Sequence, residues 1–590
     1  FDPNYDGQTF DLSFGHTQRP WLVPLSATEA SPFGPSSQGW RISEVQDAKA
    51  KANAETSNGE ADETVICHVA ADGFEERMVP FPVPSGSYRD LAVVKDGVVW
   101  IEVADRGGEL GATRAGVTGE APSDVLWHYN LSARHLDKLC ERVDTFSVSG
   151  DGERLVVRHR DDTIVVPSSH KVDDDDPAYI RVDLTRLRRT VNPRAEWRQM
   201  FDENGRLMAS HYWREDMNGV DWDSVLNRYR PLVDLCHVVD DLHDILWETV
   251  AELNTSHSYV SASGAAGDSD MRAGLLGADV SSGNDGAKVV RVIPGESSDP
   301  RAWSPLRAAG VAVTEGDVIV AVDGRKVGAD GNLGELLEGS AGRVVELTVR
   351  RGENERQVAV VPMADEAPLR YHDWVASRRR YVEEHSGGRL GYLHVPDMVS
   401  DGWAELHRQI GEATRHEGVI ADVRFNHGGH TSQLVVERLA RRVVGWDYSR
   451  WYATADTYPQ NAVRGPIVMV TNQWAGSDGD IVAAATQAMG YAKVIGERSW
   501  GGVVGIDGRF DLVDGTSVTQ PRYAGWYGSY GWGVENHGVD PDIVVTVSPE
   551  DWEADCDVQL DAAIAECLRQ LDDKPAATAP ELPGPAFDRC

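Results

Sequence analysis

The sequence predicts a multidomain protein: an all-β segment, a small helical domain, a second domain of short strands, and an α/β domain. Three observations carry this. The 590 residues suffice for several domains at roughly 100–200 residues each. The texture changes near Asn192-Pro193 and again near residue 270. Beyond residue 364, strand and helix patterns alternate, as an α/β fold requires.

Composition narrows the function classes. Apolar residues make up 41% and charged residues 26%, which is the balance of a globular chain and not of a disordered one. No apolar run approaches the roughly 18 residues of a spanning helix, so no membrane is expected. The formal charge of −37 repels a nucleic-acid backbone and argues against that partner. Cys67, Cys140, Cys236, Cys556, Cys567 and Cys590 show neither a disulfide framework nor CxxC spacing. They fit a reducing compartment, and a cytoplasmic location is expected. The chain opens on Phe1 and at once on a strand-like run, Gln8 to Phe14, so Phe1 is expected to be a cut point in a longer polypeptide.

Residues 1–191 read as a β-meander. Val98 to Val103 and Leu155 to Arg158 are strand-like, and Ser149-Gly150-Asp151-Gly152 and Asp161-Asp162 are turns. Propeller blades, a sandwich and a barrel all fit this pattern. Asp173 to Asp176 reads as a solvated loop, with a metal site as the alternative. In 192–265, Leu235, Val238, Val239, Leu242, Ile245, Leu246, Val250 and Leu253 recur at helical spacing. This is one amphipathic helix of about three, running out at Asn254-Thr255-Ser256-His257.

Residues 270–363 return to short strands. Gly274-Leu275-Leu276-Gly277, then Pro305-Leu306 to Gly310-Val311, then Gly316-Asp317-Val318 to Gly324 follow in an order that resembles a PDZ domain. In such a domain the first loop offers N–H groups to a peptide carboxylate and the next strand pairs with the peptide. A PDZ fold kept as a spacer is the alternative.

Residues 364–573 hold strands at Leu390–Val395, Gly418–Val423, Pro466–Val470 and Ala492–Gly496, with helices at Ser432–Arg442 and Asp480–Met489 between them. Residues 574–590 are rich in Pro and Ala and read as a flexible tail.

Three places could carry chemistry. Ser477 follows a strand and opens a helix, where a hydroxyl is exposed and helix-terminal N–H groups can hold an oxyanion. Ser477 with Asp480 is equally a helix-capping pair. Ser256-His257 supplies an imidazole with the intrinsic pKa of a general base, or is a plain surface pair. Glu535, among Gly and Trp residues, either orients a base or bonds a turn.

Together these motifs resemble the tricorn protease family, serine peptidases related to the carboxyl-terminal processing proteases. The resemblance rests on TQRPWLVPL, NTSHSY, DVRFNHGGHTSQL, AGSDGDIV, GERSWGGVVGI and GVENHGVDPD, and runs to the tail. It implies the end of a seven-bladed propeller, a helical C1 domain, the PDZ domain and a crotonase/ClpP-like C2 domain. A six-bladed propeller and the start of the second propeller would precede them. It implies Ser477 as nucleophile, His257 as base, Ser256 in contact with the imidazole, and Glu535 holding Ser256. Backbone N–H groups of Gly429 and Asp478 would form the oxyanion hole. His427-Gly428-Gly429 stands where the family has three glycines, and the oxyanion position is still Gly.

Asp447 matches an acidic residue that favours basic P1 side chains and is supplied by a neighbouring subunit; its alternative is a turn residue. The resemblance further implies a homo-hexamer trimming proteasome products, with no cofactor and no metal. His257 and Ser477 lie 220 residues apart, so the site must form where two domains dock.

Two rivals remain. A carboxyl-terminal processing protease uses a Ser/Lys dyad, but its lysine position here is Gly502, and Lys493 lies on the preceding strand. A propeller–PDZ scaffold with a dead α/β domain would not need Ser256, His257 and Glu535 together.

Overall fold

A computed structural model describes residues 4–6, 11–13, 18–26, 33, 69–71, 77–104 and 123–582, except 160–161, 189, 263–270, 284, 300, 329–330, 452–453 and 508–509. The described residues divide into two compact units, one ending at residue 190 and one running from 191 to 582.

The first unit contains two successive four-stranded antiparallel meanders. Tyr88–Val94, Gly97–Glu102, Val125–Asn130 and His135–Glu141 form one; Thr145–Val148, Arg154–His159, Asp162–Pro167 and Ile180–Val182 form the other. The predicted strands at 98–103 and 155–158 are present, and Ser149 to Gly152 makes the turn before Arg154. No closed barrel forms among the described residues. Of the strand predicted at 8–14, only Asp11–Ser13 is described, paired with Asn4–Asp6. Residue 161 of the second predicted turn lies outside the described residues. Asp173 to Asp176 is an exposed loop, and no metal-holding cluster occurs among the described residues.

In the second unit three helices come first, Pro193–His211, Trp222–Val233 and Val239–Ala251. The third is shorter than its periodicity predicts. Leu235 and Val238 are exposed, because the Asp241 carboxylate accepts the N–H groups of His237 (2.7 Å) and Val238 (3.2 Å) and starts the helix there. The helical core also runs past the predicted boundary at 265. Leu512 and Val518 are buried in it, and Val260–Ser261 pairs antiparallel with Ser517–Val518.

Next comes an antiparallel sheet of Ala278–Gly283, Gly286–Val292, Val318–Val322, Val345–Arg351 and Asn354–Val360, with Arg325–Lys326 pairing to the third strand. Ion pairs tie it to the helix Ala367–His385, through Arg291–Asp373 (2.5 Å) and Arg370–Asp279 (3.0 Å).

The last layer system is a parallel sheet of Leu390–His394, Gly418–Asp422, Ile467–Thr471, Ala492–Gly496 and Ile543–Val544. The first three are buried at every residue, which is why they read as unbroken apolar runs. Ser400–Ala413, Ser432–Leu439 and Asp478–Met489 cover one face; Ala367–His385 and Val558–Asp573 cover the other. The expected flexible tail is held through its described part. Ala577 exchanges hydrogen bonds with Arg464, and the Tyr448 hydroxyl donates to the Pro580 carbonyl. No helix of the described residues is long and apolar enough to cross a membrane.

Candidate active site

Ser477 stands between the strand Ile467–Thr471 and the helix Asp478–Met489, at φ 59° and ψ −121°. That backbone is costly for a residue with a Cβ, and it is the conformation of a nucleophile on a tight strand-to-helix turn. It also separates the two sequence readings. A capping serine is extended and accepts an N–H with its hydroxyl; the Ser477 hydroxyl makes no capping bond. Only the other half of the expected box exists, with the Asp480 carboxylate taking the Ser477 N–H.

Asp480 is fully buried and does more than cap. It accepts N–H groups from Gly501 (2.8 Å) and Gly502 (3.2 Å), so one side chain fixes both the Ser477 turn and the loop that follows the next strand. Burial raises its carboxyl to about 6.

Ser256, His257 and Glu535 are brought together as expected. Glu535 accepts the Ser256 N–H (2.7 Å) and hydroxyl (3.0 Å), and the Ser256 oxygen lies 3.2 Å from His257 Nδ1. The same carboxylate accepts N–H groups from Val503 (2.8 Å) and Val504 (3.0 Å). Thr519 donates to the His257 carbonyl and accepts from the Tyr259 N–H, anchoring the segment to the α/β side. Burial lowers the His257 pKa, against the opposing influence of Glu535 and a Val504 backbone group.

His257 and Ser477 share no hydrogen bond. They are linked through Trp500, whose ring lies edge-on to His257 at 5.6 Å. A Cβ on Gly476, the residue before Ser477, would fall 2.7 Å from that ring. Gly428 also abuts the serine, since a Cβ there would lie 2.5 Å from Ser477 Cβ. The next residue, Gly429, has φ +146°, and a Cβ on it would strike the Met398 carbonyl at 2.1 Å. Among the described residues the backbone N–H groups of Gly429 and Asp478 find no acceptor. Two unpaired donors thus flank the serine turn.

The remaining predicted residues sit elsewhere. Asp447 ends the short strand Gly445–Asp447, exposed, with no side-chain hydrogen bond or ion pair to this cluster. In the loop Gly274 to Gly277, the first two N–H groups are already used, by the carbonyls of Leu337 and Met363 (both 2.8 Å). Of the four N–H groups expected to be offered there, those of Gly274 and Leu275 are thus spent within the domain. A Ser/Lys dyad does not form: Lys493 pairs with Asp542 at 3.3 Å, and a Cβ on Gly502 would strike the Trp500 ring at 2.2 Å. Sequence reasoning missed Trp500, Gly428 and the bridging role of Asp480. The close Gly501-Gly502 pair was the available signal for the last.

Residues 193–251 match the tricorn protease C1 domain, 274–365 the tricorn protease PDZ domain, and 389–545 peptidase family S41. Tricorn protease homolog 1 of Streptomyces coelicolor is 53% identical over 99% of this chain and 54% of its own length. The chain belongs to the tricorn protease family. The tricorn protease of Thermoplasma acidophilum is 32% identical over 97% of the chain and 50% of itself. A tricorn protease crystal structure superposes with a TM-score of 0.81 at 30% identity, covering 97% of this chain and 53% of that one. The chain spans about half the length of the tricorn relatives it matches.

Proposed function

We propose that the chain is the catalytic part of a serine peptidase that cuts peptides through an acyl-enzyme. The observation that carries this is the Glu535–Ser256–His257 hydrogen-bonded chain, set across Trp500 from a serine whose hydroxyl is free of capping duty.

Ser477 Oγ attacks the scissile carbonyl while His257 takes its proton. The carbonyl oxygen, now an anion, is held by the N–H groups of Gly429 and Asp478. The intermediate collapses, the C–N bond breaks, and His257 gives its proton to the leaving amine. Water then attacks the ester with the same base, freeing the acid and restoring Ser477. Glu535 keeps the Ser256 hydroxyl aligned on the imidazole. His257 closes on Ser477 when substrate binds, as such bonds tighten in the substrate complex.

The proposal extends to basic P1 side chains met by Asp447, whose exposed carboxylate has no partner among the described residues. The two four-stranded meanders are read as blades of a β-propeller whose other blades lie in the length of the relatives that this chain does not span. Assembly as a homo-hexamer and a cytoplasmic site complete the reading; the four described cysteines are free thiols, as a reducing compartment requires.

The test is cleavage of a fluorogenic peptide with Arg at P1, beside labelling by a fluorophosphonate. Both are expected in the parent and absent in Ser477→Ala. Unchanged turnover in Ser477→Ala would end the nucleophile assignment. Loss of Arg over Leu preference in Asp447→Ala tests the specificity residue, and native mass measurement tests the hexamer.

A further inference from the structure

A cavity of about 660 Å3 opens where the parallel strands end, and neither Ser477 nor His257 lines it. Phe425, Asn472, Glu497 and Val547 each follow the carboxyl end of a different strand into it. That edge of an open α/β sheet is where ligands commonly bind, and the volume is that of a small-molecule or side-chain site.

Its walls are aromatic: Trp374 at the back, Phe425 beside it, and Trp474 and Trp552 at the mouth. The last two are 64% and 77% exposed, two indoles left in water around one hollow. Arg424 already lies over the Trp374 ring, 5.8 Å from its centroid.

Charge selects the ligand. Four carboxylates line the cavity against two guanidiniums, and both guanidiniums are engaged. Arg424 pairs with Asp422 (2.7 Å) and Asp557 (2.8 Å); Arg378 pairs with Asp557 (3.1 Å) and reaches Asp555 at 3.7 Å. The Glu497 carboxylate has no partner among the described residues, and Asp551 accepts only from Ser548. Unspent carboxylates beside exposed indoles favour an organic cation, held by charge and by the ring faces.

We propose that this cavity binds the basic side chain, arginine or lysine, of a peptide, as a site separate from Ser477. The volume exceeds what a lone guanidinium fills and leaves room for flanking backbone.

Cys556 lines the cavity, is exposed and is free, so it reports occupancy without any turnover. Its alkylation by iodoacetamide is followed by mass spectrometry in the whole chain carrying Ser477→Ala, so that no probe is cut. Acetyl-Gly-Arg-Gly-amide is expected to protect Cys556, and the neutral citrulline peptide is not. Trp552→Ala, at a residue too exposed to unfold the domain, is expected to weaken protection about fivefold, the worth of one exposed cation–π contact. Glu497→Gln is expected to weaken it as well. Equal protection by the citrulline peptide, no protection, or protection untouched in both variants overturns the proposal. Protection by agmatine but not by the peptide overturns the assignment to a peptide side chain. Because the readout is alkylation, its failure leaves the Ser477 reading intact, and the reverse holds too.

Discussion

Glu535 holds Ser256 by both its N–H and its hydroxyl, at 2.7 and 3.0 Å across 279 residues of sequence. This clasp binds the end of the helical region to the α/β domain, and it sets where the imidazole of His257 can stand.

Glu535→Gln replaces a four-bond acceptor by a side chain with one acceptor oxygen, leaving N–H groups of Ser256, Val503 or Val504 unmet. Turnover is expected to fall about 10²-fold, within the range of lost acid–base alignment. Stability is expected to drop by about 1–3 kcal/mol for the stranded donors. The Glu535 charge raises the His257 pKa while burial lowers it more, so the base stays neutral to a lower pH than an ordinary imidazole. The acid limb of kcat/KM therefore lies below that value in the parent and moves lower still in the variant. A limb that moves upward would contradict this.

Asp480 carries the opposite sign. Its folded pKa is raised from 3.8 to about 6, so its contribution is full below the lower value and is lost as pH rises through the upper one. Across that window the parent is expected to lose stability on the order of 3 kcal/mol from this group. Asp480→Asn should flatten the difference. Parallel urea midpoints against pH for both proteins would reveal an unchanged slope if another group is responsible.

Gly428→Ala tests the packing around the serine. The residue sits at φ +74° with its absent Cβ 2.5 Å from Ser477 Cβ, so the added methyl must displace the serine. An activity loss of about 10²-fold or more is expected, since misplacement by about 1 Å has that effect on catalysis. Fluorophosphonate labelling should slow in step. Labelling at the parent rate would show that the turn absorbs the methyl.

Arg424→Ala leaves Asp422 buried without its guanidinium and leaves Asp557, the cap of the helix Val558–Asp573, with Arg378 alone. Breaking such a pair costs about 3–5 kcal/mol. Denaturant unfolding measures it, with a loss under about 1 kcal/mol counting against the buried network.

The parallel strands were legible because they are buried on both faces, so Leu390–His394 and Gly418–Asp422 leave an apolar signature that needs no context. Ser477 was legible only as a choice, because Ser-x-x-Asp spells a cap and a nucleophile turn alike. The backbone at φ 59° is not that of a capping serine, and it follows from how the loops of Asn426 and Trp500 grip the turn. The start at Val239 is set by the local Asp241 cap, which apolar periodicity does not register, and the seating of Ala577 on Arg464 depends on a partner 113 residues away.

Leu512 and Val518 complete the core of the three helices, and the strand pairing that carries them there is two residue pairs long, extended by the bonds of Thr519 to Tyr259 and His257. So short a seam frays before a fully buried sheet melts. His257, three residues upstream of the seam, would drift off with it. The chain thus contains its own thermal fuse: warming should silence peptide cutting reversibly, at temperatures where the sheet beneath Ser477 is still whole.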